Sequence, residues 1–92
     1  MPFVYVLWSH KLRKRYIGST RDLAGRLSEH NSGQSHFTRG GRPWILIHSE
    51  SCGSVAEARK REHFLKSGLG RQWLDQQYPQ LRNMNSEGCE SG

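Results

Sequence analysis

A chain of 92 residues is enough for one small domain, and the 34% hydrophobic content calls for a compact core under a polar surface. Lys plus Arg number 14 against 8 acidic residues, and the resulting +6 charge with a pI near 9.9 points to a polyanionic partner. Cys52 and Cys89 stand far apart, which argues against a disulfide framework or a zinc site. No signal-peptide pattern and no apolar run of transmembrane length appears, so a reduced, cytoplasmic setting away from membranes is expected.

Residues 3–8, FVYVLW, are β-branched and aromatic without a breaker. They predict a strand that is apolar on both faces and therefore central in a sheet. Tyr5 is the exception in it, because a buried hydroxyl needs a partner. Residues 9–15, SHKLRKR, read as a hairpin connection carrying Lys11, Arg13, Lys14 and Arg15. These four are either a solvated turn or contacts to a phosphate backbone.

Residues 16–31, YIGSTRDLAGRLSEHN, open as a strand, turn at Gly18-Ser19-Thr20 and continue as a helix. Thr20 is the expected N-cap, with Asp22 in the first turn and Gly33 as the stop. Leu23 and Leu27 predict a core-facing stripe, and Asp22, Arg26 and His30 a polar line beside it. Residues 31–43 read as a loop in which Arg39 and Arg42 flank Gly40-Gly41, suited to a phosphate backbone. Phe37 is read as tucking against the core.

Residues 44–48, WILIH, predict a third strand, again apolar on both faces. Ser54-Val55-Ala56-Glu57 is a capping box that starts a second helix, with Gly68 as its expected end. Val55, Ala58, Glu62 and Leu65 share one face of that helix, which places a carboxylate on an apolar stripe. Burying it uncompensated costs roughly 2–7 kcal/mol or more, so an arginine such as Arg26, a hydrogen-bond network or a metal ion must offset it. Arg59, Lys60, Arg61, His63 and Lys66 surround it with positive charge. A short third helix follows, with Trp73, Leu74 and Tyr78 capping the core. The folded domain is expected over residues 1–80 and a disordered tail over 81–92.

Val4-Tyr5-Val6, Tyr16-Ile17-Gly18, the helical pair Arg26 and His30, and Ala58 to Glu62 resemble, in order and separation, the motifs of the GIY-YIG nuclease superfamily. The likeness covers residues 3–78 and is closest to small stand-alone members, similar to the amino-terminal domain of the excinuclease subunit UvrC. It implies an α/β sandwich, or α+β fold, with a three-stranded, mainly antiparallel sheet flanked by about three helices. It implies a DNA endonuclease of repair or recombination, or else a nucleic-acid-binding module on the same fold that cleaves nothing alone. The catalytic set carried over is Tyr5, Tyr16, Arg26, His30 and Glu62, with Glu62 holding one Mg²⁺ or Mn²⁺ and a tyrosine, its pKa shifted down, as general base. Lys11, Arg13, Lys14, Arg15, Arg39, Arg42 and Lys66 are the expected nucleic-acid contacts. DNA is the expected partner, with a protein partner supplying specificity and the chain a monomer or weak dimer.

Overall fold

The computed structural model describes residues 1–33 and 39–81. Phe37 and the expected tail from residue 82 onward lie outside the described residues. Strands β1 (Phe3–Ser9) and β2 (Lys14–Thr20) form an antiparallel hairpin that runs from Phe3 opposite Thr20 to Ser9 opposite Lys14. Strand β3 (Trp44–Ser51) pairs antiparallel with the other side of β1, giving the order β2-β1-β3. The apolar run of β1 is thus the central strand, buried from Val4 to Ser9.

Strand alternation then divides the core in two. Tyr5, Leu7, Tyr16 and Trp44 face helix α1 (Leu23–Ser32), where Leu23 and Leu27 pack against them. Val4, Val6 and Ile17 face helices α2 (Val55–Lys66) and α3 (Gly68–Gln77), joining Ala58, Leu65 and Leu74. Trp73 and Tyr78 close that second core, and the half-buried Cys52 lies against it.

Several local expectations change. β3 is an edge strand with only partial cover: Leu46 packs toward α1 and Ile47 toward the other core, but Ile45 is 43% exposed. A register shift between Val6 and Leu7 leaves Ile47 unopposed. The N-cap of α1 is Asp22, whose Oδ1 accepts from Gly25 N–H at 3.1 Å, while Thr20 Oγ1 accepts from Asp22 N–H. The helix starts two residues later than a Thr20 cap would set it, and the Asp22 carboxylate reaches its first turn. Gly33 does end α1, at φ 86°. Ser54 caps α2, and Glu57 reciprocates one residue further back, onto Gly53 N–H. Ser67, not Gly68, ends α2, and its Oγ opens α3 by accepting from Gly70 N–H.

The far end of the sheet is tied by two side chains. Asn31 at the end of α1 clamps the Trp44 backbone, accepting from its N–H at 2.6 Å and donating to its carbonyl at 3.0 Å. Buried Ser9 donates to Gly41 C=O at 2.6 Å and accepts from Leu12 N–H. The α2–α3 corner depends on close backbone approach at Gly70, where a Cβ would stand 1.9 Å from Phe64 O and 2.5 Å from Leu65 Cα. Neither neighbouring atom belongs to a flexible side chain. Gly70→Ala is therefore expected to destabilise the fold by about 3 kcal/mol or more, read as a lowered urea midpoint. A wild-type midpoint would contradict this packing.

Candidate active site

The site starts from a cross-strand pair. Tyr5 on β1 stands opposite Gly18 on β2, and its ring passes over the glycine. A Cβ at Gly18 would lie 2.6 Å from Tyr5 Oη, 2.8 Å from Tyr5 Cζ and 3.3 Å from Tyr16 Cε1. The missing side chain lets two buried tyrosines share one face, with ring centroids 6.2 Å apart. The polar line of α1 converges on them. Arg26 Nε donates to the Tyr5 hydroxyl at 3.4 Å, and His30 Nε2 stands 3.1 Å from the same oxygen. The His30 ring meets Tyr16 edge-on at 4.7 Å and is fully buried. Arg26 Nη1 bonds Glu29 at 2.9 Å, so the expected Arg26–Glu62 alternative is not what forms.

Burial dominates the electrostatics. It pushes the Tyr5 hydroxyl up to about 12, outweighing the Arg26 hydrogen bond, which acts the other way. Burial also raises Tyr16 above its ordinary value, against the pull of the Arg26 charge. The protein's own cations thus do not supply the expected downward shift. Burial, then the Arg26 charge, lowers His30 and favours the neutral ring. The hydrogen bond to Tyr5 fixes Arg26 more firmly in its charged form, against burial. The buried Tyr16 hydroxyl makes no well-aligned hydrogen bond among the described residues, although Arg26 and Tyr5 lie close enough to act on it, and so has room for a water or a substrate oxygen.

Glu62 approaches from α2, near enough for its charge to oppose ionisation of both tyrosines. Its side chain is 17% exposed and bonds Lys66. It thus sits at the margin of the apolar stripe, and Val55 from the same expected face is 37% exposed. An open pocket of about 440 Å³ is lined by Ser19, Arg59, Glu62, His63 and Lys66. Among the described residues no group of three or more His, Cys, Asp or Glu gathers as a metal cage. A single carboxylate beside an open pocket fits Mg²⁺ or a similar hard ion, which keeps most of its ligands as water and substrate oxygens.

The expected nucleic-acid contacts scatter. Lys11 and Arg13 are exposed on the hairpin turn, where Arg13 has φ 53°. Lys14 is half-buried at the start of β2, and Arg42 is exposed after the 3-10 turn Arg39–Gly41. The Arg39 side chain is outside the described residues. Arg15 is corrected outright: β-alternation turns it inward beside Trp8, its side chain is 2% exposed, and it pairs with Asp75 of α3 at 2.9 Å. Sequence reasoning also passed over a network on the α2–α3 side. Arg61 forks onto Glu50 at 2.8 and 3.1 Å, Glu50 bonds His48 at 2.7 Å, and His48 bonds the Tyr78 hydroxyl. Arg61 also lies over the Phe64 and Trp73 rings. The i, i+2 spacing of His48 and Glu50 on an edge strand was the available signal.

The family comparison gives the class of domain to which this fold belongs. A family model described as the GIY-YIG catalytic domain matches residues 1–75, and the chain belongs to the GIY-YIG family. It is 42% identical over 53 residues to a UPF0213 protein of Desulfotalea psychrophila, covering 55% of this chain and 48% of that one. It is 44% identical over 52 residues to a UPF0213 protein of Halobacterium salinarum, covering 55% and 68%. A UPF0213 protein of Natronomonas pharaonis is 39% identical over 66 residues, covering 71% and 76%. The match thus spans about half the length of the first of these relatives. No solved structure matches the chain. No helix among the described residues is long and apolar enough to cross a membrane.

Two measurements test the geometry. Gly18→Ala should push the Tyr5 ring out of place, costing about 1–3 kcal/mol of stability and most of any catalytic activity. Unchanged thermal melting would refute the contact. Because His30 is lowered in the folded protein, the unfolded chain binds that proton more readily. The stability His30 supports is full above its unfolded pKa of about 6.5 and is lost as pH falls below it toward the folded value. Wild-type stability should therefore drop on acidification through this window more steeply than that of His30→Asn, and parallel curves would contradict it.

Proposed function

We propose that the chain is a metal-dependent endonuclease that hydrolyses phosphodiester bonds in DNA, in repair or recombination. The observation that carries this is the convergence of Arg26 and His30 on the Tyr5 hydroxyl, beside the buried Tyr16 hydroxyl and facing Glu62. Arg26, always charged, is placed to receive a phosphoryl oxygen. A divalent ion, when bound, supplies charge neutralisation at the phosphate, and Glu62 is the residue to hold it.

The proton path follows from the bonds. Tyr5 keeps its own proton at neutral pH, since burial raises it to about 12. His30, held toward its neutral form, presents Nε2 to that hydroxyl at 3.1 Å. Tyr5 accepts a proton from the attacking water as it passes its own to His30, while Arg26 Nε stabilises negative charge on the phenol oxygen. The water oxygen, having given up a proton, bonds to phosphorus as the P–O ester bond breaks; the bonding pair leaves on the ester oxygen, which takes a proton from solvent. Tyr16 positions the attacking water through its hydroxyl.

A second assignment, a module that binds nucleic acid and cleaves only with a partner, is favoured by one contact: Lys66 already neutralises Glu62. The two separate on a labelled panel of duplex, nicked, flap, branched and single-stranded DNA with Mg²⁺, Mn²⁺ or EDTA. Wild type is expected to cut at least one substrate only with metal, and Glu62→Ala to lose about a hundredfold or more in rate while still binding. Binding without cleavage by wild type across the panel would establish the module instead.

A further inference from the structure

Beyond the Tyr5–Glu62 cluster, two open pockets adjoin where β2 runs out toward α1. One, of about 440 Å³, is lined by Ser19, Arg59, Glu62, His63 and Lys66. The other, of about 230 Å³, has Ser19, Thr20, Arg21 and Arg59 among its walls. They adjoin at Ser19 and Arg59, which line both, and the larger one holds the Glu62 carboxylate. On α2 the spacing of Arg59, Glu62, His63 and Lys66 is i, i+3, i+4 and i+7, a single helical stripe. From Arg59 to Lys66 the helix advances about 10 Å, close to the axial rise of three phosphates of one strand at about 3.4 Å each.

Of the other arginines near this part of the fold, Arg15 and Arg61 are committed to structure and Arg26 to the catalytic cluster. Arg15 holds Asp75, Arg26 bonds Tyr5 and Glu29, and Arg61 forks onto Glu50. Arg21, Arg59 and His63 differ. They are exposed, and none has a hydrogen bond or ion pair with another described residue. Side chains of this kind, lining adjoining pockets of which one holds the reactive carboxylate, are free to take anionic oxygens. The hairpin cations are poorly placed for the same phosphates, since Lys14 and Ser19 are five residues apart on β2, about 16 Å.

We propose that these pockets together form a groove, the backbone track of the nuclease, in which Arg21, Arg59 and His63 hold phosphates of the strand flanking the cleaved one. This rests on the nuclease assignment above, and it moves the main nucleic-acid contact from the hairpin turn to α2 and the end of β2. The ligand class is a polynucleotide phosphodiester backbone, held without base contacts.

The test compares two double variants that remove the same charge: Arg21→Ala with Arg59→Ala, and Lys11→Ala with Arg13→Ala. Binding of a fluorescent DNA duplex is followed by anisotropy in EDTA between roughly 50 and 200 mM salt. The groove variant should lose about tenfold or more in affinity at low salt, and its log K against log salt slope should fall by about 2, near 0.9 per lost phosphate contact. The hairpin variant should change far less, Arg59→Lys should keep the slope, and thermal midpoints should stay at the wild-type value. Equal losses in the two double variants would reduce the effect to bulk charge and overturn the track, as would a groove variant that binds like wild type. If wild type cuts DNA while the groove variant is unaffected, only the track fails. If wild type binds no DNA at all, the nuclease assignment fails with it.

Discussion

The passage of the Tyr5 ring over Gly18 is the contact on which the rest of the site depends. Tyr5 is on the central strand and Gly18 on the edge strand β2, so their pairing is fixed by the hairpin register. A one-residue slip would turn the tyrosine to the other face. With the register held, the absent Cβ leaves room for a phenol oxygen at a position where any other side chain would overlap it. Arg26 and His30 then need only one helical turn between them to reach the same oxygen from α1.

Desolvation gives this cluster its chemical character. Two tyrosines and a histidine are buried together, and each is pushed toward its uncharged form. Arg26 alone stays charged, held by the Tyr5 hydroxyl and Glu29. The site is therefore a neutral hydrogen-bonded set around one fixed cation, which Glu29 partly offsets. Glu62 approaches from the opposite layer of the fold and already has a counter-ion in Lys66. A half-buried carboxylate is stabilised by such a neighbour, and a divalent ion binding there must compete with the ammonium group.

Positive charge is divided by function across the surface and interior. Arg15 and Arg61 are spent on structure: one joins β2 to α3, the other joins α2 to β3 and lies over two aromatic rings. Burial of Arg15 is tolerated because its guanidinium meets a carboxylate, a compensation a lone buried charge lacks. The +6 net charge thus overstates the number of cations available to a polyanion.

Much of this was determined by the sequence alone. The breaker-free run at residues 3–8 requires cover on both sides and so a central strand. Spacing by four puts Arg26 and His30 on one line, and the Ser54 box and Gly33 mark helix ends through backbone chemistry local to a few residues. The tertiary structure decided what depends on distant neighbours. Arg15 looked like part of a basic turn, but strand alternation and Asp75, 60 positions away, turned it inward. WILIH has the letters of a buried strand, and only its place at the sheet edge exposes Ile45. Tyrosine reactivity was beyond local reach as well: the nearby cation that sequence supplies lowers a phenol pKa, but the burial supplied by the folded core raises it more.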